Sequence, residues 1–277
     1  MSNIENHPSL YYLKLGGSLI TEKSRAHVAR QEVLSRLADE IGSVFTNQKE
    51  FMLIIGHGSG SFGHIPAKRY GTRAGVASPE GWRGFAEVWY EATSLTRLVV
   101  DAFYAAGLPV ISFSPSASVT SLNGQVKIWD LNPIRAALES GLLPVVHGDV
   151  VFDEQRGGTI LSTEDLFAYL AGYLPPDRIL LAGLEEGVWE DYPKCTRLIP
   201  TITPASLLDI LPSLGGSDAT DVTGGMLSKV QQSLALVQKH PGLHVQVFSG
   251  AAPGNLQRAL TGEPIGTVLR ADLQDMQ

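Results

Sequence analysis

Apolar residues fall along this chain in short unbroken runs, separated by longer stretches with helical spacing. The runs "LYYLKL" (10–15), "FMLIIG" (51–56), "LPVISF" (108–113), "LLPVVHG" (142–148), "RILLAG" (178–183) and "LHVQVFSG" (243–250) read as buried strands. Between them, Val33, Leu34, Leu37, Ile41 and Val44 keep helical spacing, as do Phe85, Val88, Trp89, Ala92, Leu95 and Val99. "SPEGW" (78–82) opens the second of these helices, with Ser78 as cap and Pro79 in the first turn. Strands alternating with helices predict an α/β fold whose largely parallel sheet carries helices on both faces. Two prolines in "YLPPDR" (173–178) stop a helix and mark a boundary between residues 1–175 and 176–277. The strands on either side are expected to share one continuous sheet.

Composition narrows the class. The chain has 277 residues, 44% hydrophobic and 18% charged, enough for one large core or two lobes on one sheet. A formal net charge of −7 argues against nucleic acid as a partner, because that affinity comes from basic surface. It leaves room for a small phosphorylated ligand, which needs only a local cluster of donors. Cys195 is the single cysteine, so neither an intrachain disulfide nor a cysteine metal cluster is possible. With no leader-like pattern in "MSNIENHPSL" and no bilayer-length apolar run, a cytoplasmic protein without a membrane partner is expected.

Three segments carry candidate chemistry. The first is "IIGHGSGSFGHIPAKRY" (54–70), a glycine-serine loop after a strand, with His57 at its entrance and His64 at its exit. Gly58, Gly60 and Gly63 fit the spacing of the dinucleotide fingerprint, and Gly58 with Gly63 fits the P-loop. Neither match survives its context. A dinucleotide site wants an uninterrupted helix, and Pro66, Gly71 and Gly75 follow; a P-loop wants Lys-Ser or Lys-Thr where His64-Ile65 stands. What remains is a concave set of backbone donors suited to an anion. An imidazole at its exit could donate to a phosphoryl oxygen; a tight connecting loop without a ligand is the plainer alternative.

The second segment is "YYLKLGGSLITEK" (11–23). Lys14 lies inside an apolar strand, which is costly unless its ammonium meets an anion or snorkels to water. Gly16, Gly17 and Ser18 follow at the strand's C-terminal end, where parallel sheets bind ligands. The third is "DVTGGMLSKV" (221–230), with Thr223 as a possible cap and Lys229 early in the next helix. Three anion sites with lysines and no defensible nucleophile–base pair fit phosphoryl transfer, which rests on positioning and charge neutralisation.

At this point the motifs are recognisable. "LKLGGSLITEK", "GHGSGSFGH", "PVVHGDVVFD" and "DVTGGMLSK" together resemble the amino acid kinase superfamily, and within it the isopentenyl phosphate kinase branch. They run in family order, and "VFSGAAPGNL" (247–256) is similar to the C-terminal nucleotide segment. The histidine ending "FGH" is the specific part, shared with fosfomycin kinases. The resemblance implies an open three-layer αβα sandwich. It also implies transfer of the γ-phosphoryl group of ATP, with Mg2+, to isopentenyl phosphate in isoprenoid biosynthesis, by a homodimer.

It further implies a set of roles. His64 would bond the acceptor phosphate, with Gly58, Ser59 and Gly60 supplying backbone donors, Gly63 in the same substrate site and Gly148 contacting that phosphate. Lys14 would bridge donor and acceptor phosphates; Lys23 and Lys229 would neutralise those of ATP. Gly16, Gly17 and Ser18 would meet the transferring group. Gly183, Asp221, Gly224 and Gly225 would lie at the nucleotide, and Phe85, Val88 and Trp89 at the acceptor's hydrocarbon end. Residues 1–175 would hold the acceptor and 176–277 the nucleotide. The sequence departs from the family where an aspartate organises the lysines: "LSTEDL" (161–166) offers Glu164 there, with Asp165 next to it. Other readings are a kinase for another small phosphate or phosphonate, such as fosfomycin, and a nucleotide-binding protein without catalysis.

Overall fold

A computed structural model describes residues 8–22, 25, 27–47, 51–214 and 225–272. Its strands, in chain order, are β1 (Ser9–Leu15), β2 (Phe51–His57), β3 (Val110–Ser112), β4 (Val119–Leu122), β5 (Gln125–Trp129), β6 (Leu143–His147) and β7 (Asp149–Asp153). There follow β8 (Gly157–Leu161), β9 (Arg178–Gly183), β10 (Val188–Trp189), β11 (Leu198–Ile199), β12 (Thr201–Ile202), β13 (His244–Ser249) and β14 (Thr267–Leu269). The helices are α1 (Gly17–Ile20), α2 (Gln31–Phe45), α3 (Gly60–Tyr70), α4 (Pro79–Ala105) and α5 (Pro115–Ser118). Further on are α6 (Asn132–Glu139), α7 (Thr163–Ala171), α8 (Leu207–Leu214), α9 (Gly225–Lys239) and α10 (Asn255–Leu260).

The central sheet has eight strands in the order β12-β14-β13-β9-β1-β2-β6-β3. Neighbours from β13 through β3 run parallel, and β14 lies antiparallel to β13. Period-2 alternation sorts the side chains into two cores. Leu13, Leu15, Leu53 and Ile55 pack with α2, α4 and α10, whereas Tyr12, Ile54 and Ile179 pack with α6, α7 and α9. The result is the αβα sandwich, with β9 beside β1 in one sheet across the 175/176 boundary.

The six apolar runs are all strands of this sheet. Ser78 caps α4 as its position suggests, accepting from the Gly81 N–H at 3.1 Å with Pro79 in the first turn. A second sheet, β5-β4-β7-β8, stands to the side and is absent from the sequence reading. Its strands β4 and β5 are short and half-exposed, and the better buried β7 and β8 are broken by Asp149, Asp153, Gly157, Gly158 and Thr159, so none carries a long apolar run. A signal for its first hairpin is nevertheless present: Asn123-Gly124 turns between β4 and β5, both residues with positive φ.

Another expectation needs correcting. Pro66 does not stop the segment after β2, because α3 runs through it to Tyr70 and ends on Gly71 in the left-handed region. The glycine-serine loop is therefore only Gly58 and Ser59, and His64 sits in the second turn of a helix.

Candidate active site

Lys14 follows directly from the alternation. With Leu13 and Leu15 pointing to the α2/α4 side, Lys14 must point to the α7/α9 side, near the C-terminal end of β1. There its ammonium forms an ion pair with Glu164, both side chains nearly buried at 12% and 11% exposure. Burial pushes the Glu164 carboxyl pKa up, but the adjacent Lys14 and then the charge of Lys229 overcome this and hold it below the ordinary value. The anion that Lys14 required is a protein carboxylate.

The approach of α7 has a physical cause. Lys14 is in register with Gly56 on β2. A Cβ on Gly56 would run into the Thr163 methyl group and come within 2.7 Å of the Phe167 ring. The bare backbone there lets the first turn of α7 settle onto the sheet, which places Glu164 over Lys14. Asp165, one residue on, does something else. It accepts from the Ser162 N–H at 2.8 Å in a reciprocal capping box, and from Arg73 at 3.3 Å. Between the two acidic residues left open by the sequence, Glu164 is the partner of the lysine.

The loops after β1 and β2 interlock. A Cβ on Gly17 would lie 2.5 Å from the Gly60 nitrogen; one on Gly60 would overlap the Thr21 hydroxyl and meet the Gly17 carbonyl at 2.8 Å. Gly60 also has φ +50. Thr21 clasps the pair, donating to the Gly17 carbonyl at 2.7 Å and accepting from the Ser61 N–H at 3.1 Å. The N-terminus of the 11-residue helix α3 is thereby held against the turn that carries Gly16, Gly17 and Ser18. One expected backbone donor is already engaged, since Gly58 N–H donates to the Leu15 carbonyl at 3.1 Å; Gly148, expected at the acceptor phosphate, likewise donates its N–H to the His57 carbonyl at 3.2 Å.

The remaining candidates lie on α3, α4, α9 and the end of β9, or outside the described residues. His64 is half-buried in α3, and Lys229 is half-buried in α9, whose first residue is Gly225. Gly183 ends β9 and accepts from the Gly250 N–H at 2.9 Å, tying it to the "VFSGAAPGNL" segment. That segment is braced by Glu40, which accepts from the N–H groups of Gly254 (3.1 Å) and Gln257 (3.2 Å). Lys23, Asp221 and Gly224 lie outside the described residues, as does the expected cap Thr223.

Phe85 and Val88 are buried in a small core with Val76 and Val150, while Trp89 is 42% exposed. Gly84 owes its place in α4 to packing, since a Cβ there would overlap the Tyr70 ring. Residues missed by the sequence reading are Thr21, Gly56 and Thr163. The period-2 match of Gly56 with Lys14 is the one signal that could have singled any of them out.

Comparison with known proteins agrees with the motifs. The amino acid kinase family matches residues 12–249. Isopentenyl phosphate kinase of Methanothermobacter thermautotrophicus is 38% identical, over 91% of this chain and 96% of its own length. That of Methanocaldococcus jannaschii is 34% identical, over 93% and 97%. A solved isopentenyl phosphate kinase structure, 32% identical, superposes with a TM-score of 0.78 and covers 94% of this chain and 99% of that one. The matched span includes Lys14, the interlocked glycine turns, Glu164 and Lys229. The chain belongs to the amino acid kinase family.

Proposed function

We propose that this chain transfers the γ-phosphoryl group of ATP directly, in line, to isopentenyl phosphate, giving isopentenyl diphosphate. The observation that carries the reading is the meeting of Lys14, Glu164 and the charge of Lys229 beside the locked N-terminus of α3. Phosphoryl transfer asks a protein for two anion sites at a fixed separation and for cations that meet the charge shared between them. The N-terminus of α3, with Ser59, Gly60, Gly63 and His64, is the acceptor-phosphate side. Gly58 and Gly148 shape it through the bonds they already make. Lys14 stands between that side and the nucleotide, and Glu164 sets where its ammonium points. Relatives covering nearly the whole chain carry the name isopentenyl phosphate kinase, which favours this acceptor over fosfomycin.

In this reading Gly16, Gly17 and Ser18 face the transferring group, and residues 176–277 hold the nucleotide through Gly183, Gly225 and Lys229. Lys23, Asp221 and Gly224 complete that side. The hydrocarbon end lies along α4, where Trp89 has surface left to offer beside the packed Phe85 and Val88. Among the described residues no three His, Cys, Asp or Glu side chains converge to hold a metal. Mg2+ enters this reading with the phosphates of the nucleotide. A homodimer and a cytoplasmic location belong to the same reading.

The test is ADP release by the purified protein with Mg-ATP and isopentenyl, dimethylallyl or geranyl phosphate, or fosfomycin. Turnover strongest on the short prenyl phosphates is expected. Turnover on fosfomycin alone would move the acceptor, and silence on all four would refute the reading.

A further inference from the structure

His57 lies outside every role assigned so far, yet it touches each layer around the acceptor loop. It ends β2, is fully buried, and by alternation its ring points to the α4 side, opposite Lys14. Its carbonyl accepts from the Gly148 N–H at 3.2 Å and from the Thr163 hydroxyl, next to Glu164, at 2.7 Å. Ring atom Nδ1 is 3.2 Å from the Gly58 carbonyl oxygen, and Nε2 is 3.1 Å from the Thr96 hydroxyl of α4. The ring also stacks on His147, with centroids 5.4 Å apart and planes within 9°.

The hydrogen-bond chemistry selects one state of this ring. A carbonyl oxygen can only accept, so Nδ1 must carry the proton that faces Gly58. Nε2 is then a lone pair facing the Thr96 hydroxyl, whose one hydrogen has two acceptors in reach, Nε2 at 3.1 Å and the Ala92 carbonyl of its own helix at 2.9 Å. Burial, reinforced by the neighbouring His147, pushes the His57 pKa down to about 3, so the imidazole is neutral in neutral solution.

We propose that His57 is a positioning residue for the acceptor phosphate. As the neutral Nδ1–H tautomer it fixes the Gly58–Ser59 turn from α4 on one face, while its carbonyl ties that turn to α7 on the other. The inference rests on the assignment of the α3 N-terminus to the acceptor. It does not require His57 to touch substrate. What the ring supplies is a donor at Nδ1 and an acceptor at Nε2, held at a fixed distance across the turn. The helix that bears Phe85, Val88 and Trp89 is thereby coupled, through Thr96, to the loop that receives the phosphate.

The experiment measures both KM values and kcat in His57→Leu, His57→Asn and Thr96→Val, each checked for folding by circular dichroism. His57→Leu should raise the KM for isopentenyl phosphate at least tenfold and leave that for ATP within about twofold. His57→Asn, whose amide nitrogen can replace Nδ1, should recover most of the loss. Thr96→Val should shift the acceptor KM in the same direction by about threefold. If His57→Leu does not fold, Thr96→Val decides. Equal rises in both KM values, or unchanged acceptor KM in folded Thr96→Val, would overturn the proposal. A wild-type enzyme silent on every alkyl monophosphate would instead overturn the acceptor assignment beneath it. As a readout apart from turnover, the imidazole nitrogen shifts of 15N-labelled protein should show His57 as Nδ1–H at pH 7; the Nε2–H form would also overturn it.

Discussion

Gly60 and Gly157 meet the same steric problem in two different regions. Both have positive φ, +50 and +75, and an added Cβ would overlap a neighbour in each case: the Thr21 hydroxyl for Gly60, the Val76 carbonyl for Gly157. Gly60 sits where the central sheet's first two loops interlock, beneath the side proposed for the acceptor. Gly157 opens β8 in the side sheet, where Val76 N–H donates to the Arg156 carbonyl at 2.8 Å and straps the segment before α4 in place. Local strain is therefore no guide to function by itself. What separates the two is what lies across the contact: Thr21 and the carbonyl of the glycine turn after β1 at one, Val76 of a packed core at the other.

The sharpest way to break that comparison is to substitute both. Gly60→Ala is expected to lower kcat/KM by about a thousandfold, in line with loss of pre-organised donors costing roughly 3–4 kcal/mol of transition-state stabilisation. Gly157→Ala should leave kcat/KM within a factor of three and cost about 1–3 kcal/mol of stability, a fall in Tm of several degrees for a chain of this size. Steady-state kinetics beside thermal scans decide it. A folded Gly157→Ala protein as inactive as Gly60→Ala would erase the distinction.

Neighbouring carboxylates sharpen the same contrast within one turn of α7. Glu164→Gln leaves the Lys14 ammonium nearly buried without its counter-charge, a change that typically costs about 3–5 kcal/mol. A tenfold to hundredfold loss of kcat should accompany it. Glu164→Asp should recover part of the rate, because the charge survives with a shorter reach. Asp165→Asn weakens a helix cap, worth about 1 kcal/mol, and should leave kcat nearly unchanged. Matching kinetic losses in Glu164→Gln and Asp165→Asn would mean that the ion pair is only structural.

Much of this arrangement is legible in the order of residues alone. An apolar strand interrupted by Lys14 calls for an anion or a path to water, and the alternation around it fixes which layer the side chain enters. The cap of α4 is explicit in "SPEGW", and the interlocked loops are visible as glycine clusters after two strands. What cannot be read there is the partner. Lys14 and Glu164 are 150 positions apart, and periodicity carries no information across that distance. The side sheet escapes because β4 and β5 are short and half-exposed, while polar residues and glycines interrupt β7 and β8. Pro66 misleads in the other direction, since a proline inside a helix lowers its stability without forbidding it where the fold holds both ends.

The smallest expected effect concerns the pH dependence of the region under the Gly58–Ser59 loop. Burial pushes His57 down to about 3 and His147 to about 4, so below the ordinary pKa near 6.5 the unfolded chain binds two protons that the folded one refuses. Stability from both is complete above pH 6.5 and is lost as the pH falls toward 4. Lys14, whose charge acts on His57, reinforces this direction. Asp149 opposes it. Its carboxylate lies 3.5 Å from His147 Nε2, and burial pushes its pKa up to about 6. Between its ordinary value near 4 and pH 6, the folded chain therefore holds a proton that the unfolded one lacks, and its contribution grows with acidity. The local balance is a net one-proton slope, roughly 1 to 2 kcal/mol per pH unit. Thermal scans from pH 7 to 5 should show Tm falling by a few degrees in the wild type. The fall should be steeper in Asp149→Asn, which removes the opposing group, and shallower in His147→Leu. Parallel curves for all three would mean that the stacked histidines under the loop are protonated in the folded protein, and that their burial does not hold them neutral.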